Sequence, residues 1–253
     1  MDSLLHAIMQ YKDDRKAEWW GNYVKHESRF LGVPMNNLRD ELNRWLDTQS
    51  ISTKDKVDAV KKLFKGTYSE EKLLGILMLS EHMHELSTTD LLDLVEEIIY
   101  DVYDWNICDW LCVKAIQPRL MDEDHSSRMI KWSMSDYLWL RRAALVPFVG
   151  TSYDQYSHVI FTISRHLIQH PERFSKTAVG WVFREMMPTH KDEILAFIKE
   201  QLSYVTTEVI NNILKHQPDK NLLKKSIYSN TFLNPDCRHE FFQKRPKLCV
   251  WLE

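Results

Sequence analysis

The chain has 253 residues, enough to bury a core of ordinary size, and its 44% hydrophobic and 27% charged residues are typical of a globular protein. A formal net charge of −3 excludes a surface covered in positive charge, and no run of 18 apolar residues occurs, so we expect no membrane-spanning segment. Because there are only 6 glycines and period-two alternation is scarce, the sequence predicts an all-α protein.

Helical segments follow one another with short breaks, and pairs of them recur about every 35 to 45 residues, the spacing of HEAT-type hairpins. We therefore predict an α-solenoid of paired antiparallel helices with a concave face over residues 1–221, and an extension of unknown role over residues 222–253. The predicted helices are Ser3–Lys12, Lys16–Phe30, Asn36–Thr48, Lys54–Phe64, Ser69–Glu85, Thr88–Tyr103, Trp105–Leu120, Asp122–Ser133, Ser135–Val149, Tyr153–His170, Ser175–Met187, Lys191–Leu202, Thr206–His216 and Asp219–Ile227.

Charge is unevenly distributed along the chain. Residues 73–113 contain nine acidic residues and neither Lys nor Arg, and the other regions are mildly basic. This division permits a basic surface for an anionic polymer without a basic isoelectric point.

The four cysteines show no disulfide pattern, and no amino-terminal targeting segment is recognisable, so we expect an intracellular, reduced protein. Cys108 and Cys112 are one helical turn apart, but no neighbouring Cys or His pair completes a set of metal ligands. We predict that they are core residues and that the protein has no metal site.

The predicted helix that begins at Trp105 places an aromatic ring and the Asp109 carboxylate one turn apart, so that the two side chains are neighbours. Both fall on the flank of an apolar stripe, where a carboxylate can face a ligand without full desolvation. The alternative is a half-buried Trp beside a solvated Asp. The stripe consists of Ile107, Cys108, Leu111, Cys112 and Ala115.

Arg142 falls inside the apolar arc of its predicted helix, between Leu138 and Leu145. A guanidinium in that position requires an anion. Two interpretations are open: a buried ion pair with a carboxylate of residues 104–109, or a bound phosphate.

The predicted helix Ser175–Met187 carries Trp181 and Arg184 almost opposite its apolar stripe. Trp181 either faces a ligand or is covered by another helix, and both interpretations are open. Gly180 would let a backbone or a ligand approach this helix closely.

These segments resemble the AlkD-like family of DNA alkylation repair glycosylases. Tyr103–Asp109 is similar to the family's Trp-x3-Asp helix, and Trp139–Ala144 to its Trp-Leu-x-Arg-Ala-Ala segment. Lys176–Glu185 is similar to its Lys-Ala-x-Gly-Trp-x-x-Arg-Glu segment, and Tyr23–Pro34 contains a similar Phe-Leu-Gly turn. The resemblance covers roughly residues 16–205.

The resemblance implies a monomeric HEAT-like solenoid that binds duplex DNA in its concave face and removes cationic N3- or N7-alkylated purines without flipping the base. It implies no cofactor, and a cytoplasmic location in a prokaryote or a nuclear one in a eukaryote. Trp105 and Trp181 would pack against the deoxyribose at the lesion, and Asp109 would stabilise the oxocarbenium ion and position water. The implied DNA contacts are Arg142, Arg184, Tyr23 and Lys176.

Two neighbours of the implied catalytic Trp depart from the family pattern. Asp104 stands where the family often has a second Trp, and Asn106 where it has an Asp. No lysine is placed to form a Schiff base, so we expect hydrolysis without strand cleavage. The alternatives are a non-catalytic solenoid that binds branched or damaged DNA, and a protein–protein scaffold in which Arg142 and Arg184 form ordinary ion pairs.

Overall fold

The computed structural model of the chain describes residues 1–25, 27–49, 51–120 and 124–229, and within these ranges every regular element is helical. The all-α prediction is therefore confirmed for the described residues. The helices are α1 (Asp2–Met9), α2 (Asp14–Val24), α3 (Met35–Asp47), α4 (Thr53–Phe64), α5 (Ser69–Glu81), α6 (Thr88–Ile98), α7 (Trp105–Trp110), α8 (Gln117–Leu120), α9 (Ser126–Ser133), α10 (Leu138–Ala143), α11 (Tyr153–Gln169), α12 (Arg173–Met186), α13 (Lys191–Glu200), α14 (Thr207–Ile213) and α15 (Lys220–Ser229).

The chain divides into two compact units, the first over Met1–Pro147 and the second beginning at Phe148. In the first unit, α5 packs against α3, α4 and α7, and α10 packs against α7 and α9. In the second unit, α12 packs against α11 and α14. None of the described helices is long and apolar enough to cross a membrane.

The C-terminal extension predicted from residue 222 lies partly outside the described residues. Its first part belongs to α15, which runs across the predicted boundary. Residues 230–253, which include Cys237 and Cys249, are not among the described residues.

Several predicted helices are interrupted or shorter than expected, and three of them lie near the candidate residues. The helix predicted over Lys16–Phe30 ends at Val24, because Lys25 adopts a left-handed conformation with φ 56°. The helix predicted over Ser135–Val149 is reduced to α10, followed by a 3-10 turn that contains Pro147, a residue without a backbone N–H. A π-helical segment, Leu111–Ile116, separates α7 from α8.

A buried carboxylate at the start of α5 holds the loop that follows α2. Glu70 accepts backbone N–H bonds from Leu31 at 2.9 Å, Gly32 at 2.7 Å and Val33 at 3.3 Å. Burial raises the pKa of Glu70, and the three hydrogen bonds oppose that effect. Leu31 and Val33 are buried as well, so this loop is part of the core although it is not helical.

Gly32 is the point at which this loop meets the start of α2. Its φ is 79°, and a Cβ atom there would lie 2.1 Å from the Asp13 carbonyl oxygen and 2.8 Å from the Ala17 nitrogen. Both neighbours are backbone atoms that cannot rotate away. The loop conformation therefore requires glycine at this position.

We predict that Gly32→Ala lowers the free energy of unfolding by about 2 kcal/mol or more, because the substitution adds backbone strain and a steric clash. Urea denaturation measures the loss. The matched control is Gly21→Ala, since a Cβ at this α2 position meets nothing within 4 Å. That variant should be neutral or more stable by up to about 1 kcal/mol, and equal losses in both variants would contradict the prediction.

Candidate active site

Polar contacts fix the start of α7 against the chain around the end of α2. The Asp104 side chain is buried and caps the helix, accepting the Ile107 N–H at 2.8 Å and the Ser28 hydroxyl on its other oxygen. The Trp105 indole N–H donates to the Val24 carbonyl at 3.3 Å. Asp104 therefore serves as an N-cap in this chain, where the family pattern often has an aromatic ring.

The apolar stripe predicted on this helix is confirmed. All five of its members are buried, whereas Trp105 and Asp109 are only partly exposed at its flank. The stripe continues into the π-helical segment that follows α7. Asp109 therefore lies at the edge of a packed surface rather than on a solvated one.

Asp109 forms a bidentate ion pair with Arg142 of α10. Arg142 Nε donates to Asp109 Oδ1 at 2.6 Å, and Nη2 donates to Oδ2 at 2.9 Å. The Arg142 side chain is 6% exposed and the Asp109 side chain is 13% exposed. Of the two interpretations of Arg142, the structure shows the buried ion pair, and this two-point contact fixes the plane of the carboxylate.

Burial is the main influence on the pKa of Asp109 and raises it above its ordinary value. Arg142 opposes this shift, and the negative charge of Asp104 adds to it.

Burial also raises the pKa of the Cys112 thiol well above its usual range, so that cysteine remains protonated in the core. Among the described residues, no group of three or more His, Cys, Asp or Glu side chains is placed to hold a metal ion.

Tyr23 reaches the same region from the end of α2. Its ring meets Trp105 edge to face, with ring centroids 5.6 Å apart and an interplanar angle of 70°. The first unit therefore brings together Tyr23, Trp105, Asp109 and Arg142. Trp139, which shares a sequence motif with Arg142, is a buried core residue.

The remaining predicted residues lie on α12 of the second unit, where Trp181 is partly exposed. Arg184 donates to the Asn212 amide oxygen at 2.9 Å and also pairs with Glu185. Lys176 donates to the Tyr204 carbonyl at 2.6 Å. Both cations therefore have protein partners.

Gly180 lies where α12 packs closely against α14. A Cβ at Gly180 would lie 3.2 Å from the Asn212 amide nitrogen and 3.6 Å from the Val209 Cα atom. Both neighbours belong to α14, so a helix makes the close approach that this glycine permits.

A sequence profile of the family described as DNA alkylation repair enzyme matches residues 4–216. The chain belongs to this family. It is also similar to a solved structure of a predicted DNA alkylation repair enzyme from Enterococcus faecalis, with a TM-score of 0.69 and 15% identity, covering 82% of this chain and 97% of that one. This likeness confirms the predicted fold class, an all-α solenoid. A comparison with curated proteins gave no match.

We predict that Arg142→Met lowers the free energy of unfolding by about 3–5 kcal/mol at neutral pH, because the Asp109 charge stays buried without its partner. Without the cation, Asp109 binds a proton more tightly in the folded state than in the unfolded state. The deficit relative to the native protein should therefore shrink as the pH falls. Urea denaturation at several pH values measures both effects.

The matched control is Arg165→Met, which breaks a bidentate pair with Glu200 on an exposed surface. Its loss should stay below about 1 kcal/mol. A deficit for Arg142→Met that does not change with pH would contradict the explanation.

Proposed function

We propose that this member of the DNA alkylation repair family is a monofunctional glycosylase. It hydrolyses the N-glycosidic bond of cationic N3- or N7-alkylated purines in duplex DNA and leaves an abasic site. The observation that carries the proposal is the Asp109 carboxylate, which Arg142 holds in a fixed orientation one helical turn from the partly exposed Trp105.

The chemistry of the substrate explains why a fixed carboxylate is sufficient. An N3- or N7-alkylated purine carries a positive charge, so it departs with the electron pair of its bond to C1′ and needs no strong general acid. The sugar becomes an oxocarbenium ion, which a carboxylate in a partly desolvated site stabilises more strongly than water does. Water then adds to C1′ and loses a proton, and Asp109 positions that water molecule.

The aromatic residues supplement this electrostatic stabilisation. The faces of Trp105 and Tyr23 attract developing positive charge at the sugar. Arg142 acts as a positioning residue for the carboxylate. The sugar contact of Trp181, and the DNA contacts of Arg142, Arg184 and Lys176, are proposed from the resemblance of their motifs.

We predict that Asp109→Asn abolishes release of 7-methylguanine from a labelled duplex, because it removes the charge that stabilises the oxocarbenium ion. The variant also leaves Arg142 without its neutralising partner, so excision and duplex binding, which should stay nearly intact, are compared at a temperature at which the variant is folded. Released base is measured by chromatography, and alkali reveals abasic sites. The matched control, Asp93→Asn, removes an exposed carboxylate that pairs with Arg128, and its excision should equal that of the native protein.

Two outcomes would contradict the proposal, the first its assignment of Asp109 and the second the glycosylase activity itself. Unchanged excision by the Asp109 variant would remove Asp109 from the chemistry. Absence of excision by the native protein, together with salt-sensitive duplex binding, would favour the non-catalytic DNA-binding solenoid.

Excision should also fall at acidic pH, because the rate follows the ionised fraction of Asp109. That fraction is complete above the raised pKa and is lost as the pH falls through it, so the loss should begin above the ordinary Asp value of about 4. Single-turnover rates, corrected for spontaneous depurination, measure this profile.

Asp104→Asn provides a sharper form of this measurement. Asparagine caps a helix as well as aspartate does, but the variant removes the neighbouring negative charge that raises the pKa of Asp109. The acid limb of the profile should therefore move to lower pH. A shift of the limb to higher pH would contradict this explanation.

A further inference from the structure

The outer face of α2 carries two large exposed aromatic rings, of which Tyr23 belongs to the candidate active site and Trp19 does not. Trp19 is 57% exposed and Tyr23 is 53% exposed. Their rings are stacked, with centroids 5.2 Å apart and an interplanar angle of 7°. Apolar rings that remain this exposed in an ordered helix indicate a binding surface.

The exposed pair has structural support from beneath. Trp20, which is partly buried, meets Trp19 edge to face at 4.9 Å and Tyr23 at 5.9 Å. Trp20 in turn stacks on Phe30 at 6.1 Å. The ring of Trp19 is therefore held in place before any ligand binds.

The polar residues of the same face favour an anionic ligand. At about 100° per residue, Arg15 and Asn22 fall on one side of Trp19, and Lys16 lies beyond Tyr23 on the other. All of these side chains are exposed. The nearest carboxylates in sequence are Asp14 and Glu18, which at the same period lie about 140° and about 100° from Trp19, and Asp14 pairs with Lys12. Asp13 accepts the backbone N–H groups of Arg15 and Lys16 as the N-cap of α2.

This face is continuous with the candidate active site. Two ring contacts, of 5.6 Å and 5.2 Å, lead from Trp105 through Tyr23 to Trp19. DNA rises about 3.4 Å per nucleotide along a strand, so this path spans roughly two to three nucleotides. A strand whose damaged sugar lies at Trp105 can therefore extend along α2.

We propose that the outer face of α2, formed by Arg15, Trp19, Asn22 and Tyr23, binds the damaged strand beside the lesion. Trp19 packs its exposed ring on a nucleotide two or three positions from the damaged one, and Arg15 pairs with a flanking phosphate. An aromatic ring packs on any nucleotide, and a guanidinium recognises the phosphate common to all of them, so the contact is independent of sequence. The proposal rests on the proposed function, since it takes Trp105 as the position of the lesion.

The test measures binding to duplexes that contain a tetrahydrofuran abasic-site analogue, which requires no excision. One duplex is long on both sides of the analogue, and two others are shortened so that they end beside it on one side or the other. Trp19→Ala should bind the long duplex about tenfold more weakly. On the shortened duplex that keeps the contacted nucleotide, Trp19→Ala should lose the same affinity as on the long duplex. On the shortened duplex that lacks this nucleotide, Trp19→Ala should lose no affinity.

Matched variants separate this contact from a general effect on the fold. Trp19→Phe keeps a ring and should retain most of the affinity, and Tyr100→Ala, which removes an equally exposed ring, should bind all three duplexes normally. Arg15→Ala should lower the slope of log affinity against log salt by about 1.

Equal losses for Trp19→Ala on all three duplexes, or no loss on any, would overturn the proposal. Failure of the glycosylase proposal would appear separately, as absence of excision by the native protein.

Discussion

The ion pair between Arg142 and Asp109 is the constraint on which the first unit depends. Each charge is largely removed from water, and each is tolerable there only because the other neutralises it. The pair therefore fixes how α10 packs on α7. The same contact determines the orientation of a carboxylate at the edge of the core, so stability and the proposed chemistry depend on one interaction.

Buried polar contacts, rather than apolar packing alone, place the aromatic residues around this pair. Asp104 joins the start of α7 to Ser28, and Trp105 joins it to Val24. Glu70 holds the loop after α2 through three backbone N–H groups. Because hydrogen bonds are directional, these contacts set the angles of the helices that carry Tyr23 and Trp105.

Helical periodicity was sufficient to predict the apolar stripe of α7 and the flanking positions of Trp105 and Asp109, because these depend only on neighbours in sequence. Periodicity placed Arg142 in an apolar arc but could not choose its anion, which lies 33 residues earlier in the chain. The non-helical course of the chain before α3 had a similar cause. Phe30 and Leu31 continue an apolar pattern, but the Leu31 N–H is bound by Glu70, 39 residues later.

The capping role of Asp104 has a consequence for how this protein can hold a nucleic acid. The first turn of a helix carries partial positive charge and free N–H groups, which bind phosphate in many proteins. At α7 a built-in carboxylate already occupies that position. In the proposed complex, a DNA phosphate would meet this carboxylate at the helix end nearest Trp105, so we expect the DNA backbone to be held by cationic side chains rather than by the first turn of α7.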